Sequence, residues 1–400
     1  MYPAAAVLAA GERSTEHVRA LLGVGSTNLQ QPLAVQLGGR DPVAMAAAAQ
    51  HCAALGGIDE ININVGCPSD TVSVCHCYGA ALMKEAAQVQ LLAAAVRNAV
   101  PSTVAVTVKH RLGVDECDSW EQLVDFVRVV SAAPANVRHF VVHARKAILG
   151  LSTADNREVP PLRHDWVFRL SSAFPHLSFE LNGEVATLEQ AAQLLAQPRK
   201  CPANSSSDPA LQSVMIGRAA FYTPWMLARA DFMQIFAGRT STVGSDASHR
   251  PVTRRQVVLQ YVDYAESAFE TGRAQLEEDV RHEMATEGSV APSTQTVAHR
   301  LKPRVTALRE ALYLPLMNLF AETPTPDRPT ESKEQLSAAD SALLNEDEMK
   351  CSTQWRRRLE KSLGKRASIK KGALYALRAV DELADLPAAV AIRADSTGTA

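Results

Sequence analysis

Through the first 236 residues short β-type runs alternate with longer helical ones, and this alternation restricts the chain to a narrow set of folds. The strand candidates are YPAAAV (2–7), LAVQL (33–37), EININV (60–65), VAVTVK (104–109), HFVVHA (139–144), LSFELN (177–182) and VMIG (214–217). DPVAMAAAAQHCAAL (41–55) reads as a helix with Asp41 at its N-cap and Pro42 at its first position, where a missing N–H does no harm. DSWEQLVDFVRVVSAA (118–133) sets Trp120, Leu123, Val124, Val127 and Val130 on one face. Apolar strands separated by helices form a parallel sheet covered by those helices. This many units in some 235 residues predicts a (β/α)8-type barrel over an open doubly wound sheet, although the count is seven strands, one short of eight.

Barrels of this kind carry their chemistry at the carboxyl ends of the strands. The polar residues there are Gln36, Asn62 and Asn64 with Cys67, Lys109-His110-Arg111, His143 with Arg145 and Lys146, Asn182-Gly183, and Gly217-Arg218. Any one alone is as well explained by a solvated rim, a hydrogen-bonded histidine or a turn. Six successive strands ending this way favour a site for a large anionic cofactor, with a phosphate near Gly217 and Arg218 at the last barrel loop. In IDEININVGCPSD (58–70) the third strand delivers Cys67 between Gly66 and Pro68. Glycine lets the backbone turn, and proline locks its own φ and biases its predecessor away from the helical region. Cys67 is thereby aimed in a set direction, which a cysteine needed only for packing would not require. The CHC triplet at 75–77 has one residue between its cysteines, too close for the usual zinc spacing, and no second ligand pair follows, so no metal is expected.

With 400 residues the chain has room for a barrel and an appendage. Its net charge of −2 excludes no class of partner, because local patches can sit inside a neutral total. Seven cysteines without a regular framework point to free thiols in a reducing compartment, cytoplasmic or organellar (mitochondrion or plastid). No apolar run approaches the roughly 18 residues of a membrane span, and MYPAAAVLAAGER lacks the basic leader of a secretory signal. From about residue 250 the pattern becomes wholly helical, in VTRRQVVLQYVDYAESAFE and VAHRLKPRVTALREALYLPLMNLF. The stretch 321–350, rich in Pro, Thr, Ser and acid, reads as a flexible insertion, and 386–400 as a loose tail. Between Trp355 and Arg378 nine Lys or Arg face one Glu, a local balance of +8. That segment, with Trp355, suits phosphate contacts and shape reading of RNA, or else is a solvated basic face. The expected domains are therefore 1–240, a barrel, and 250–385, helical.

ININVGCPSD, YGAALM (78–83), VTVKHRLGVD (106–115), FVVHARKAILGLSTADNREVPPL (140–162), LNGE (181–184) and VMIGRAAFYTP (214–224) together resemble the tRNA-dihydrouridine synthases. The resemblance is greatest to the branch similar to bacterial enzymes that reduce uridine 20 and 20a of tRNA. It resumes in LPLMNLF (314–320) and STQWRRRL (352–359). It implies an FMN-binding barrel followed by a helical tRNA-binding domain, NADPH as reductant, tRNA as partner, and a monomer. It also implies roles for residues: Gln36, Lys109 and His143 at FMN; Asn182, Gly183 and Glu184 along the ribityl-phosphate end; Gly217 and Arg218 at the phosphate. Cys67 would be the proton donor and Asn64 would hold the target base, while Asn156, Arg157, Arg356 and Arg357 would face the tRNA. Reduction of the uracil C5–C6 bond needs a hydride, which a reduced flavin supplies, and a proton from a placed acid. A thiol, with an ordinary pKa of about 8.5, is such an acid near neutral pH.

The family opens with a strand and a turn of the type P-M-M-x-W-T-D, and this sequence begins one strand later, at MYPAAAV. The expected barrel is thus one strand short and poor at holding FMN. Two other readings stand beside the reductase. One is a flavin-deficient tRNA-binding protein derived from the same fold. The other is a flavin barrel acting on a small molecule, against which the basic tail and NVGCPSD argue.

Overall fold

The computed structural model describes residues 1–24, 31–75, 77–197, 211–232, 254–286 and 294–318, with Trp355, residues 357–361, Ile369, Ala373 and Ala376. The expected insertion and tail, His76 and Arg356 lie outside the described residues. The chain divides into two compact units at Gly217 and Arg218.

The first unit alternates strand and helix: β1 (Tyr2–Pro3), α1 (Ala4–Arg13), α2 (Thr15–Leu22), β2 (Ala34–Gly38), α3 (Pro42–Ala54), β3 (Glu60–Val65), α4 (Ala86–Ala99), β4 (Ala105–Arg111), α5 (Trp120–Ser131), β5 (His139–His143), α6 (His164–Ala173), β6 (Ser178–Asn182), α7 (Leu188–Leu195) and β7 (Ser213–Met215). The expected helices begin as the capping chemistry requires. Asp41 accepts from the N–H groups of Val43 and Ala44, ahead of Pro42. Ser119 and Gln122 close a capping box at α5.

Among the described residues the seven strands are all parallel and pair strictly in chain order, from β1 to β7. Right-handed crossovers between sequential neighbours put every helix on the same face. A sheet so covered curls around its other face, which is the barrel geometry and not the doubly wound one. The side-chain period of two then separates the faces. Val35, Leu37, Ile61, Ile63, Val65, Val108, Phe140, Val142, Phe179 and Leu181 are buried in one cluster with Met45, Leu92, Val127 and Leu170 of the helices. The other face carries Gln36, Glu60, Asn62, Asn64, Thr107, Lys109, Arg111, His143, Glu180 and Asn182, in register across the strands. A largely polar concave face beside a convex one that is apolar except for His110 is what positions the site.

The first strand is shorter than expected. Only Tyr2–Pro3 pair, with Leu37 and Gly38, and the alanine-rich run enters α1 at Ala4. Alanine has the highest helix propensity, and Ala4 and Val7 are buried from the helix. Among the described residues no pairing joins β7 to β1.

The second unit opens with α8 (Arg218–Tyr222) and contains two long helices, Arg254–Thr286 and Thr294–Asn318. Its boundary falls earlier than the expected residue 240. Residues after β7 join the helical core: the Asn318 amide donates to the Phe221 carbonyl at 2.9 Å, and Trp225 packs on the cluster built by Val258, Val262, Tyr313, Leu316 and Trp355. Trp355 departs from its expected place on an RNA-facing surface. It is fully buried, and its indole N–H donates to the Leu316 carbonyl at 2.7 Å. Leu359, Ile369, Ala373 and Ala376 are buried with it, at helical spacing, while Arg357 is exposed. These described residues of the basic segment therefore belong to the helical core. No described helix is long and apolar enough to cross a membrane.

Candidate active site at the carboxyl ends of the strands

The turn after β3 is fixed from several directions. Asn64 Oδ1 accepts from the backbone N–H groups of Gly66 at 3.3 Å and Cys67 at 3.1 Å. The Cys67 carbonyl accepts from the Ser73 hydroxyl at 2.6 Å and the Ala80 N–H at 2.9 Å. Arg111 Nε donates to the Gly66 carbonyl at 3.0 Å. Gly79 has φ +67°, and a Cβ there would stand 2.6 Å from the Cys67 carbonyl oxygen, so only glycine lets the following turn close on the cysteine. The sulfur is on a half-buried residue. Cys52 is fully enclosed by α3 and its neighbours, and burial pushes its thiol up to about 12.

Around this turn the sheet brings together most of the expected cofactor residues. Gln36 donates from Nε2 to Asn62 Oδ1 at 2.7 Å and accepts from Asn64 Nδ2 at 2.8 Å. Lys109 sits opposite Asn64 in register, and its ammonium donates to Asn182 Oδ1 at 3.1 Å. Burial pushes the Lys109 ammonium down to about 8, with nearby Arg111 acting in the same direction. Asn182 is held in turn by donating to the Met215 carbonyl at 3.1 Å. His143 pairs in register with both Arg111 and Asn182. Gly183, at φ +133°, passes close to it: a Cβ there would lie 3.3 Å from His143 Cδ2 and 3.0 Å from Leu162 Cδ1. Glu184 has φ +54° and turns its carboxylate to the Arg145 guanidinium. At Gly217 a Cβ would meet nothing within 4 Å, leaving open space beside the backbone after β7. Arg218 opens the second unit.

Two residues expected to meet RNA make hydrogen bonds within the fold. Asn156 has no exposed surface. Its Oδ1 accepts from the Ile148 N–H at 2.8 Å, and its Nδ2 donates to the carbonyls of Ile148, Leu151 and Ser152. These bonds hold the loop after β5 together. Asn64 is buried, and the bonds described leave one of its amide hydrogens unassigned. Arg157 is half-buried in the short helical turn Asp155–Arg157.

Arg111, a strand-end residue with no role evident from its position in the sequence, is a structural centre. It is buried, and besides Gly66 it donates from Nη1 to the carbonyls of Lys146 at 2.9 Å and Asn156 at 2.8 Å. One guanidinium thus ties the Cys67 turn to the loop after β5. Its neighbour His110 points to the helix-covered face, against Phe126 and Phe140. Its Nδ1–H donates to the Arg111 carbonyl at 2.6 Å, and Nε2 has no hydrogen-bond partner among the described residues. Burial pushes this imidazole down to about 4. The folded state therefore holds it neutral where the unfolded chain would charge it. Stability is expected to fall as pH drops from about 6.5 towards 4, by on the order of 3 kcal/mol from this group. Urea unfolding at pH 7, 5.5 and 4.5 should show a smaller loss in His110→Phe than in the wild type; parallel losses would remove His110 as the cause.

The model of the family described as Dihydrouridine synthase (Dus) matches residues 8–273, more than half of the chain. A Synechocystis protein named tRNA-dihydrouridine(20/20a) synthase is 43% identical over 206 residues, covering 50% of this chain and 55% of that relative. Proteins of the same name from Shewanella oneidensis and Escherichia coli K12 are 39% and 40% identical over 244 and 235 residues. These alignments cover 61% and 58% of this chain and 64% and 61% of the relatives. The chain thus spans less than two thirds of the length of each of these relatives.

Proposed function

The chain belongs to the dihydrouridine synthase family, and on that premise we propose that it reduces the C5–C6 double bond of uridine in tRNA, at position 20 or 20a, with FMN as its flavin and NADPH as reductant. The single observation that carries this reading is the Cys67 turn, fastened by Asn64, Ser73, Ala80 and Arg111 beside a concave face that carries amides and the half-buried Lys109 ammonium.

The residues present fit a flavin. Lys109, a half-buried cation, has its one described hydrogen bond to a neutral amide oxygen, which leaves ammonium hydrogens for an electron-rich ring. Gly217 leaves room for a phosphate. Gln36, Lys109 and His143 would hold the ring, Asn182, Gly183 and the Glu184 backbone the ribityl chain, and Gly217 and Arg218 the phosphate. A bound, reduced flavin supplies the hydride that no side chain can.

The chain's own groups do the rest. Lys109, at about 8, is mostly protonated at neutral pH and offsets negative charge beside it. Cys67 gives the proton to the uracil carbon that the hydride does not reach. The base leaves the RNA stack to arrive there. Arg157, with Arg356 and the exposed Arg357, meets the phosphate backbone. The test is NADPH-dependent formation of dihydrouridine in unmodified tRNA, read as a gain of two hydrogens in the nuclease fragment carrying position 20, together with flavin absorbance of the purified protein. A colourless protein that binds tRNA without reducing it would replace this reading with that of a flavin-deficient binder.

A further inference from the structure

A chain of five side chains runs from β4 and β3 to the Cys67 turn, and its direction is set at both ends. The backbone N–H groups of Gly66 and Cys67 can only donate, so Asn64 must turn Oδ1 to them. Its Nδ2 then faces Gln36, which must offer Oε1. Gln36 in turn gives Nε2 to Asn62 Oδ1, and Asn62 gives Nδ2 to Thr107 Oγ1 at 2.7 Å. The Thr107 hydroxyl is left as acceptor on this side, so its own hydrogen goes to the far side, to the carboxylate of Glu60. Thr107, Asn62 and Asn64 are all buried, so water cannot substitute freely for a missing partner.

We propose that Glu60 and Thr107 are positioning residues which, through Asn62, Gln36 and Asn64, hold the Gly66–Cys67 turn in its working geometry. Neither touches the turn. A carboxylate that can only accept lies at one end and two amides that can only donate lie at the other, so every amide between has one permitted orientation. The relay ends on backbone nitrogen, not on sulfur. It therefore aims the thiol and carries no proton to it. The link to catalysis rests on the reductase reading above; the link to the turn does not.

Thr107→Val keeps the shape and removes the acceptor for Asn62, and Thr107→Ser restores it. Glu60→Met frees the hydroxyl to reverse the chain. Amide hydrogen exchange of the peptide spanning Gly66 and Cys67, and the rate of alkylation of Cys67 by iodoacetamide against Cys117 in the same sample, read the turn directly. In Thr107→Val exchange is expected to rise about tenfold and alkylation of Cys67 to change several-fold relative to Cys117. Glu60→Met should move both the same way and less, and Thr107→Ser should match the wild type. Under single-turnover conditions uracil reduction should slow in Thr107→Val with an unshifted pH profile and unchanged reduction of the bound flavin by NADPH. Exchange and alkylation within twofold of the wild type in Thr107→Val would overturn the relay, and Glu60→Met decides the matter if that variant does not fold. A pH profile displaced in Thr107→Val would overturn it as well, by making the chain a proton path. If the wild-type protein reduces no uridine, the functional reading fails, while exchange and alkylation still decide the relay.

Discussion

Replacing Cys67 with alanine is expected to leave flavin binding and its reduction by NADPH intact while slowing uracil reduction by about 10²–10⁴-fold, the usual contribution of a general acid. The separation follows from the geometry. Everything that fixes the turn is contributed by other groups: Asn64 to its N–H, Ser73 and Ala80 to its carbonyl, and Arg111 to Gly66. Loss of the sulfur therefore leaves the backbone where it is, and the residues proposed to hold the flavin keep their bonds to one another. The defect should lie in kcat, not in KM for tRNA, because the thiol acts on the reacting carbon and contributes little to ground-state binding. Single-turnover reduction of tRNA by pre-reduced protein is the measurement. Turnover within a few-fold of the wild type would remove Cys67 from the mechanism.

Arg111→Met is expected to lower stability by at least about 3 kcal/mol, since hydrogen bonds to a charged donor contribute about 1.5–3 kcal/mol each and three carbonyls lose theirs. These carbonyls belong to Gly66, Lys146 and Asn156, in two segments brought together by the guanidinium. Burial lowers this group to about 10, so it stays charged at neutral pH and the bonds stay charge-assisted. Arg111→Lys should recover only part of the loss, because one ammonium cannot reproduce a fork reaching three oxygens. Urea unfolding followed by circular dichroism tests both, and an Arg111→Met midpoint close to the wild type would show that the two segments hold without the clamp.

The parts of the fold that were legible in the sequence are those governed by local rules. EININV is a strand over the same six residues, because alternation with period two is a local signal. Asp41-Pro42 starts a helix where capping chemistry says it should. The six apolar residues of YPAAAV satisfy both periods, and alanine propensity together with burial of Ala4 and Val7 decides for the helix after two residues. Trp355 lies in a basic segment that looks solvated in sequence, yet it is buried. Its apolar positions at helical spacing could have signalled the buried face.

The sequence by itself determined which residues reach the carboxyl ends of the strands and, through Gly66 and Pro68, that Cys67 would be held in a turn; both follow from dihedral restrictions and strand period, which act over a few residues. Tertiary structure decided what those residues do to one another. Asn156 turned inward because the loop after β5 needed its amide. Glu60 and Thr107 became the far end of a relay because β3 and β4 lie side by side in one register, a pairing set between strands 40 residues and more apart in the chain. Hydrogen-bond direction is a property of the whole network and of its burial, so it emerges only once the sheet has brought the donors and acceptors into contact.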